Sequence, residues 1–148
     1  MTTYRADVAW TGGREGEVRL GNGPVLTFSA PPDAYGRDGT LTPEDAFVAA
    51  VNTCVALMFF WAAERMKIDL VRYDCAGEAT KAVALDRTES FSRVVLRPRI
   101  VVRGADDARV RRALDSALKY SLVAHSINCA LVVEPEVTQI DDASRGNG

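Results

Sequence analysis

The residues of this chain most able to do covalent or metal chemistry are three cysteines, Cys54, Cys75 and Cys129, and one histidine, His125. A cysteine thiolate is a nucleophile, and cysteine and histidine side chains at short, regular spacings bind zinc. The cysteines here are widely separated, without a CxxC pair, and there is no second histidine. We therefore expect no metal and no cofactor, and we weigh the chemistry of a free thiol.

Each of these residues also has an interpretation without chemistry. Cys54 lies in a long apolar segment, where a free cysteine is most often a small buried hydrophobic residue. Cys75 and Cys129 fall in predicted strands with no motif around them, which favours a core position for both still more strongly. His125 is either a surface residue in a short link or part of a pocket wall.

Cations that could activate a thiol occur in two predicted loops. Arg14 lies in the turn Gly12–Gly16, and Arg37 lies in the loop Tyr35–Gly39, shortly before Glu44. The thiolate is the nucleophilic form of cysteine, and a free thiol with a pKa of about 8.5 is only slightly ionised at pH 7. A cation beside the sulfur increases the ionised fraction. The alternative for either arginine is an exposed position in a solvated loop.

The first part of the chain predicts a β-meander, a loop and a long helix. Short alternating segments separated by Gly-rich turns are typical of strands up to residue 28. Residues 29–40 contain two prolines and two glycines, a composition that favours a surface loop. Thr42 can then cap a helix that has Pro43 at its first position and runs to about Lys67.

The remaining elements complete an α+β pattern. After the long helix, the sequence predicts two strands, at residues 69–79 and 90–103. A second helix begins at Ala105, and a last strand spans residues 128–138. Arginines alternate with apolar residues in the second of these strands, which indicates a solvated face. The order β-β-β-α-β-β-α-β is that of an α+β fold. We expect one domain over residues 1–140 and a disordered tail over residues 141–148.

Composition and charge exclude several classes of partner. The 148 residues are 47% hydrophobic and 26% charged, with a net charge of −2, so the chain has no general electrostatic attraction to nucleic acid or anionic membranes. The apolar segment 46–63 is shorter than the roughly 20 residues that span a membrane, and we expect it to be a core helix buried on all sides. Residues 1–7 lack the features of an export signal, so we expect a cytoplasmic protein with reduced thiols.

Three segments in order carry a family resemblance: Thr11–Gly16 (TGGREG), Leu41–Phe47 (LTPEDAF) and Ala49–Cys54 (AAVNTC). Together with the element order and a second helix ending in Ala117–Tyr120 (ALKY), they make the chain resemble the OsmC/Ohr family of thiol-dependent organic hydroperoxide reductases. The resemblance extends over nearly the whole chain. It implies an OsmC-like α+β fold with an N-terminal β-meander, a long buried central helix, further strands and a second helix, in an intertwined dimer.

The resemblance also implies roles for individual residues. Cys54 is the peroxidatic cysteine, and Glu44 holds an arginine that stabilises the thiolate and orients the peroxide. Arg14 matches the turn that supplies this arginine in the Ohr branch, whereas Arg37 lies in the loop that supplies it in the OsmC branch. Arg14 has the longer motif match, and both remain open.

The chain departs from the family pattern at the second cysteine. The family typically has Cys-Pro after the second helix, where this chain has Ser121-Leu122. A serine cannot form the disulfide that traps a sulfenic acid, and Cys129 replaces it only if its strand lies beside Cys54. The sequence favours a peroxidase with a one-cysteine cycle and an external thiol reductant. The alternative is a non-catalytic OsmC-like dimer that binds a small apolar ligand.

Helix geometry predicts that a second copy of the chain contributes to the protein. Glu44 and Cys54 are ten residues apart in one helix, which corresponds to about 15 Å of rise and about 280° of rotation. They cannot share a pocket unless an arginine bridges them or a second subunit contributes. A helix that is apolar on all sides also needs more cover than one sheet provides. Both arguments favour a homodimer.

Overall fold

The computed structural model describes residues 1–141. The chain forms two compact units, Met1–Phe47 and the part from Val48 onward, and the boundary lies within the first α-helix. From residue 142 onward, the predicted disordered tail lies outside the described residues. The single domain expected over residues 1–140 stays a prediction.

The first unit contains the predicted three-stranded meander. Its antiparallel strands β1, β2 and β3 are neighbours in chain order and span Ala6–Gly12, Glu15–Leu20 and Val25–Ser29. Gly12 ends β1 and Gly13 follows it in the turn to β2, with φ angles of 131° and 53°, which are backbone conformations that favour glycine. The segment predicted as a loop after β3 contains only one short 3₁₀ turn, Pro32–Ala34.

The first helix, α1, spans Pro43–Arg65, close to its predicted bounds. Thr42 caps it, because the Asp45 amide donates a hydrogen bond to Thr42 Oγ1 at 3.1 Å. By length and composition α1 is apolar enough to cross a membrane, and only part of it is buried within the chain. Exposed side chains follow one face of α1, at positions three and four residues apart, so burial on all sides does not occur within one chain. The exposed ones include Leu57, Phe60 and Trp61.

The second unit contains a four-stranded mixed sheet. Its strands β4, β5, β6 and β7 span Asp69–Val83, Glu89–Arg103, Ala130–Val133 and Glu136–Ile140. β4 pairs antiparallel with β5, and β6 and β7 both pair parallel with the other edge of β5. The single last strand predicted over 128–138 is wrong, because Pro135 has no amide hydrogen to continue the ladder. Cys129 therefore precedes a strand instead of lying in one.

Two further helices, α2 (Asp107–Tyr120) and α3 (Leu122–Ser126), meet at Ser121. Asp106 caps α2 by accepting a hydrogen bond from the Arg109 amide at 2.7 Å. The apolar core of this unit is built from one face each of α1, β5 and α2. Its buried side chains include Val51, Val55, Phe59, Val94, Leu96, Ile100, Val102, Val110, Ala113, Leu114 and Ala117.

Candidate functional site

Cys54 is a half-buried residue on α1, and its sulfur contacts Ser121. The Ser121 hydroxyl donates a hydrogen bond to the thiol, with 3.0 Å between Oγ and Sγ. Ser121 itself is fully buried, with 0% of its surface exposed. Within residues 48–141, no second hydrogen bond to the Cys54 sulfur is present. The arrangement is a partly accessible nucleophile beside a buried hydroxyl donor.

The junction of α2 and α3 fixes the position of Ser121. Its φ and ψ of −74° and 111° are extended, so α2 ends and a new helix begins. The Ser121 hydroxyl oxygen accepts a hydrogen bond from the Ala124 amide at 3.3 Å, and its carbonyl accepts one from the His125 amide at 3.1 Å. Because these bonds cap α3, they hold the hydroxyl in place.

α2 lies beside α1 and runs in the opposite direction, which brings Ser121 to Cys54. At the other end of the pair, the Arg109 guanidinium donates a hydrogen bond to the Met66 carbonyl oxygen. Between these two contacts is a groove of about 480 Å³, lined by Trp61, Ala62, Arg65, Met66, Ser116 and Tyr120. The groove combines two exposed aromatic rings with the Arg65 guanidinium, which lies 4.7 Å from the centroid of the Trp61 ring.

Another face of α1 contacts β4 and fixes the rotation of the helix. Asn52, which is about 200° from Cys54 around the helix, donates from Nδ2 to the Cys75 carbonyl oxygen at 3.0 Å. A Cβ at Gly77 would lie 3.0 Å from Asn52 Nδ2 and 3.1 Å from Leu96 Cδ2. The absence of a side chain at Gly77 therefore lets α1 approach the sheet closely. This contact sets the direction in which Cys54 points.

Cys75 and Cys129 are both half-buried, which corrects the expectation that they are core residues. Burial raises the pKa of the Cys75 thiol, and the nearby Tyr73 hydroxyl and a backbone hydrogen bond from Arg97 offset part of that rise. A thiol with a raised pKa stays protonated at neutral pH and is a poor nucleophile. Within the described chain, Cys54 is the cysteine whose sulfur lies 3.0 Å from the hydroxyl of a fully buried serine.

His125 has the surface position that the sequence left open. It is exposed near the end of α3, and its Nε2 bonds with the Lys119 carbonyl oxygen at the end of α2. This contact ties the two helices together on their exposed side. The His125 ring therefore bonds with the backbone. Among the described residues, it forms no hydrogen bond with the Cys54 sulfur.

Arg14 and Arg37 lie together in the first unit, on a concavity of about 380 Å³ whose wall also includes Glu15 and Tyr35. Arg37 Nε pairs with Glu15 Oε1 at 3.0 Å. Arg14 donates to the Ala34 carbonyl oxygen at 2.9 Å, and its guanidinium lies 5.0 Å from the centroid of the Tyr35 ring. The structure thus brings the two candidate arginines to one surface, although they are 23 positions apart.

Glu44 is an exposed residue in the first turn of α1. Among residues 1–47, neither Arg14 nor Arg37 forms an ion pair with it, and the carboxylate beside Arg37 is that of Glu15. Glu15 was not among the predicted site residues, although its place next to Arg14 was a signal. The pairing of Glu44 with an arginine stays a prediction for the assembled protein.

The arginines of β5 form ion pairs on a solvated sheet face, as the alternation predicts. Arg97 pairs with Glu78 at 2.7 Å and with Glu134 at 3.4 Å, and Arg99 pairs with Glu136 at 3.7 Å. A groove of about 540 Å³ crosses this face. Since carboxylates already neutralise these cations, the groove offers little attraction to an anion.

Comparison with known proteins supports the fold. The family model for OsmC, described as OsmC-like protein, matches residues 36–136. An OsmC-like protein of unknown function from Vibrio cholerae is 22% identical, with a TM-score of 0.84 over 92% of this chain and 100% of its own. An organic hydroperoxide resistance protein OsmC from Legionella pneumophila is 22% identical, with a TM-score of 0.74 over 93% of this chain and 98% of its own.

A more distant structural relative is the organic hydroperoxide resistance protein OhrB of Bacillus subtilis. It is 17% identical and has a TM-score of 0.64 over 93% of this chain and 98% of its own. At such identities the structural likeness shows the fold alone, and it confirms the predicted α+β architecture. Comparison with curated proteins gives no match.

Proposed function

This chain belongs to the OsmC-like family, and we propose that it is a thiol peroxidase that reduces organic hydroperoxides at Cys54. The observation that carries the proposal is the half-buried Cys54 thiol with the buried Ser121 hydroxyl 3.0 Å from its sulfur. A second support is that the relatives from Legionella pneumophila and Bacillus subtilis are organic hydroperoxide resistance proteins.

The proposed reaction is a one-cysteine cycle. The Cys54 thiolate attacks the terminal oxygen of the hydroperoxide, the O–O bond breaks, and the alkoxide takes a proton and leaves as an alcohol. Cys54 is then a sulfenic acid. One external thiol condenses with it to a mixed disulfide and water, and a second thiol releases the Cys54 thiolate together with an external disulfide. Ser121 contributes no sulfur, so the two reducing electrons come from the external thiols.

We assign the activating cation to Arg14 or Arg37, with Glu44 as the carboxylate that orients it. The chemistry requires a positive group that favours the thiolate and stabilises the leaving oxygen. Alanine substitutions separate the two arginines, with exposed Arg19 of the same sheet as the matched control. We expect one of the two variants to lower kcat/KM for the hydroperoxide at least tenfold while Arg19→Ala has no effect.

We also propose that the working unit is a homodimer in a reducing, cytoplasmic compartment. Apolar side chains are exposed in each unit: Val8 and Trp10 on β1, and Leu57, Phe60 and Trp61 on α1. Large apolar side chains exposed together on one strand or one helix are typical of interaction sites. A second copy of the chain is the partner that the family resemblance implies.

The decisive experiment measures peroxide consumption by the purified protein with dithiothreitol as reductant. We expect cumene hydroperoxide to be reduced faster than hydrogen peroxide. A Cys54→Ser variant should be inactive, whereas Cys75→Ser and Cys129→Ser variants should retain activity and serve as controls for the loss of a thiol. Absence of turnover in the wild-type protein, or full activity in Cys54→Ser, would refute the proposal.

The alternative function is a non-catalytic dimer that binds a small apolar ligand. It is favoured by Ser121 in place of a resolving cysteine and by the aromatic groove that Trp61 and Tyr120 line. In that case Cys54 remains reduced after one equivalent of cumene hydroperoxide. Mass spectrometry of the treated protein distinguishes the two functions, because the peroxidase acquires oxygen on Cys54.

A further inference from the structure

We propose that Ser121 is a positioning residue whose hydroxyl stabilises the ionised, reactive form of Cys54. This inference rests on the proposed function, because it assigns a role in the first step of that reaction. Ser121 is also the residue at which the chain departs from the family pattern, and the inference assigns a function to that departure. A serine hydroxyl cannot form a disulfide with Cys54 as a resolving thiol would, but it retains a hydrogen that it can donate.

The hydrogen-bond directions around Ser121 support this role. Its oxygen accepts a bond from the Ala124 amide at 3.3 Å, and it lies 3.0 Å from the Cys54 sulfur. A hydroxyl has a single hydrogen, so the bond to sulfur uses the one donor that Ser121 has. A thiolate is a stronger acceptor than a thiol, and a hydrogen bond to the charged form favours that form.

Burial makes the contact specific. Ser121 has 0% of its surface exposed, so water does not replace its hydroxyl at the sulfur. Hydrogen bonds to charged groups are also stronger in such a site than in water. The Ser121 hydroxyl is already fixed as the cap of α3. Its hydrogen bond to the sulfur therefore costs little additional side-chain entropy.

The ionisable side chains next to Ser121 in the sequence have other contacts. The Lys119 ammonium lies 5.2 Å from the centroid of the Tyr120 ring, and the His125 ring bonds with the Lys119 carbonyl oxygen. Within residues 48–141, no ion pair involves either side chain. The Ser121 hydroxyl is therefore the donor from this unit that acts directly on the Cys54 sulfur.

The test measures alkylation of Cys54 by iodoacetamide as a function of pH in a Cys75→Ala, Cys129→Ala background. We expect Ser121→Ala to slow the reaction about tenfold at pH 7, the effect of removing a hydrogen bond to a charged group. At high pH the rates should converge. Ser121→Thr, which retains the hydroxyl, should restore the wild-type profile.

Ser126→Ala is the matched control for damage to α3. Ser126 donates to the Leu122 carbonyl oxygen at 2.8 Å within the same helix, so its loss weakens α3 without removing a donor from Cys54. A pH profile that moves equally in Ser126→Ala and Ser121→Ala, or that does not move in Ser121→Ala, overturns the inference. Circular dichroism checks that each variant is folded.

Alkylation tests the role of Ser121, and peroxide turnover tests the peroxidase function, so either one can be refuted without the other. If the wild-type protein consumes no hydroperoxide but Ser121→Ala still displaces the alkylation profile, the peroxidase function is wrong and the action of Ser121 on the thiolate stands. If turnover is present and the profile of Ser121→Ala is unchanged, the peroxidase function stands and the role of Ser121 is wrong.

Discussion

Replacing Ser121 by cysteine probes the contact on which the proposed site depends. Ser121 Oγ is 3.0 Å from Cys54 Sγ, and a disulfide bond is about 2.05 Å long. Because a cysteine sulfur extends further from Cβ than a serine oxygen does, small side-chain adjustments can close the gap. In Ser121→Cys, we expect one equivalent of cumene hydroperoxide to convert Cys54 into a disulfide with the introduced thiol. In the wild type, the same treatment should stop at a sulfenic acid, and excess oxidant should produce a sulfinic acid.

The size of the loop sets the stabilisation expected from this disulfide. The two positions are 67 residues apart. Closing a loop of that length lowers the entropy of the unfolded chain and so raises the free energy of unfolding by about 4 kcal/mol. With an unfolding entropy of about 2.1 cal/mol/K per residue, the corresponding rise in Tm is about 13 °C. This figure is an upper limit, since strain in the new bond reduces it.

Two measurements check the prediction: mass spectrometry of peptides after peroxide treatment, and thermal unfolding with and without dithiothreitol. Ser126→Cys is the matched control, because it adds one thiol on the exposed end of α3, where Ser126 bonds with the Leu122 carbonyl. It should not be stabilised by peroxide. Oxidation of Cys54 to a sulfinic acid in Ser121→Cys, without a disulfide, would refute the contact. A disulfide between Cys54 and Cys129 in the wild type would instead refute the one-cysteine cycle.

At pH 7 iodoacetamide should label Cys54 faster than Cys75, because burial raises the pKa of the Cys75 thiol and keeps it protonated; peptide mapping at limited labelling measures both, and equal rates contradict the assignment. Gly77→Ala should lower the free energy of unfolding by about 1–3 kcal/mol, because the added Cβ presses on Asn52 and Leu96. Urea unfolding measures this loss, and an unchanged midpoint argues against close packing of α1 there. Light scattering should give twice the chain mass of 16.1 kDa, and a value near one chain excludes the homodimer.

Elements whose formation depends on near neighbours were predictable from the order of amino acids alone. Thr42 and Pro43 predict the start of α1, because helix capping and the preference for proline at the first helical position depend only on adjacent residues. Gly12 and Gly13 mark the first turn of the meander for a similar local reason, their positive φ. The ordered motifs around Arg14, Glu44 and Cys54 were also sufficient to indicate the family, which the match over residues 36–136 confirms.

Contacts between distant residues depend on how whole elements pack. The family resemblance placed Ser121 at the resolving position for Cys54, and the contact itself depends on the antiparallel packing of α1 and α2 across 67 residues. Arg37 pairs with Glu15 in the folded chain, whereas the family resemblance implies Glu44 as the carboxylate that holds the arginine. Contacts of this kind arise from the packing of whole elements, and neither periodicity nor capping specifies them, because both describe the chain over a few residues only.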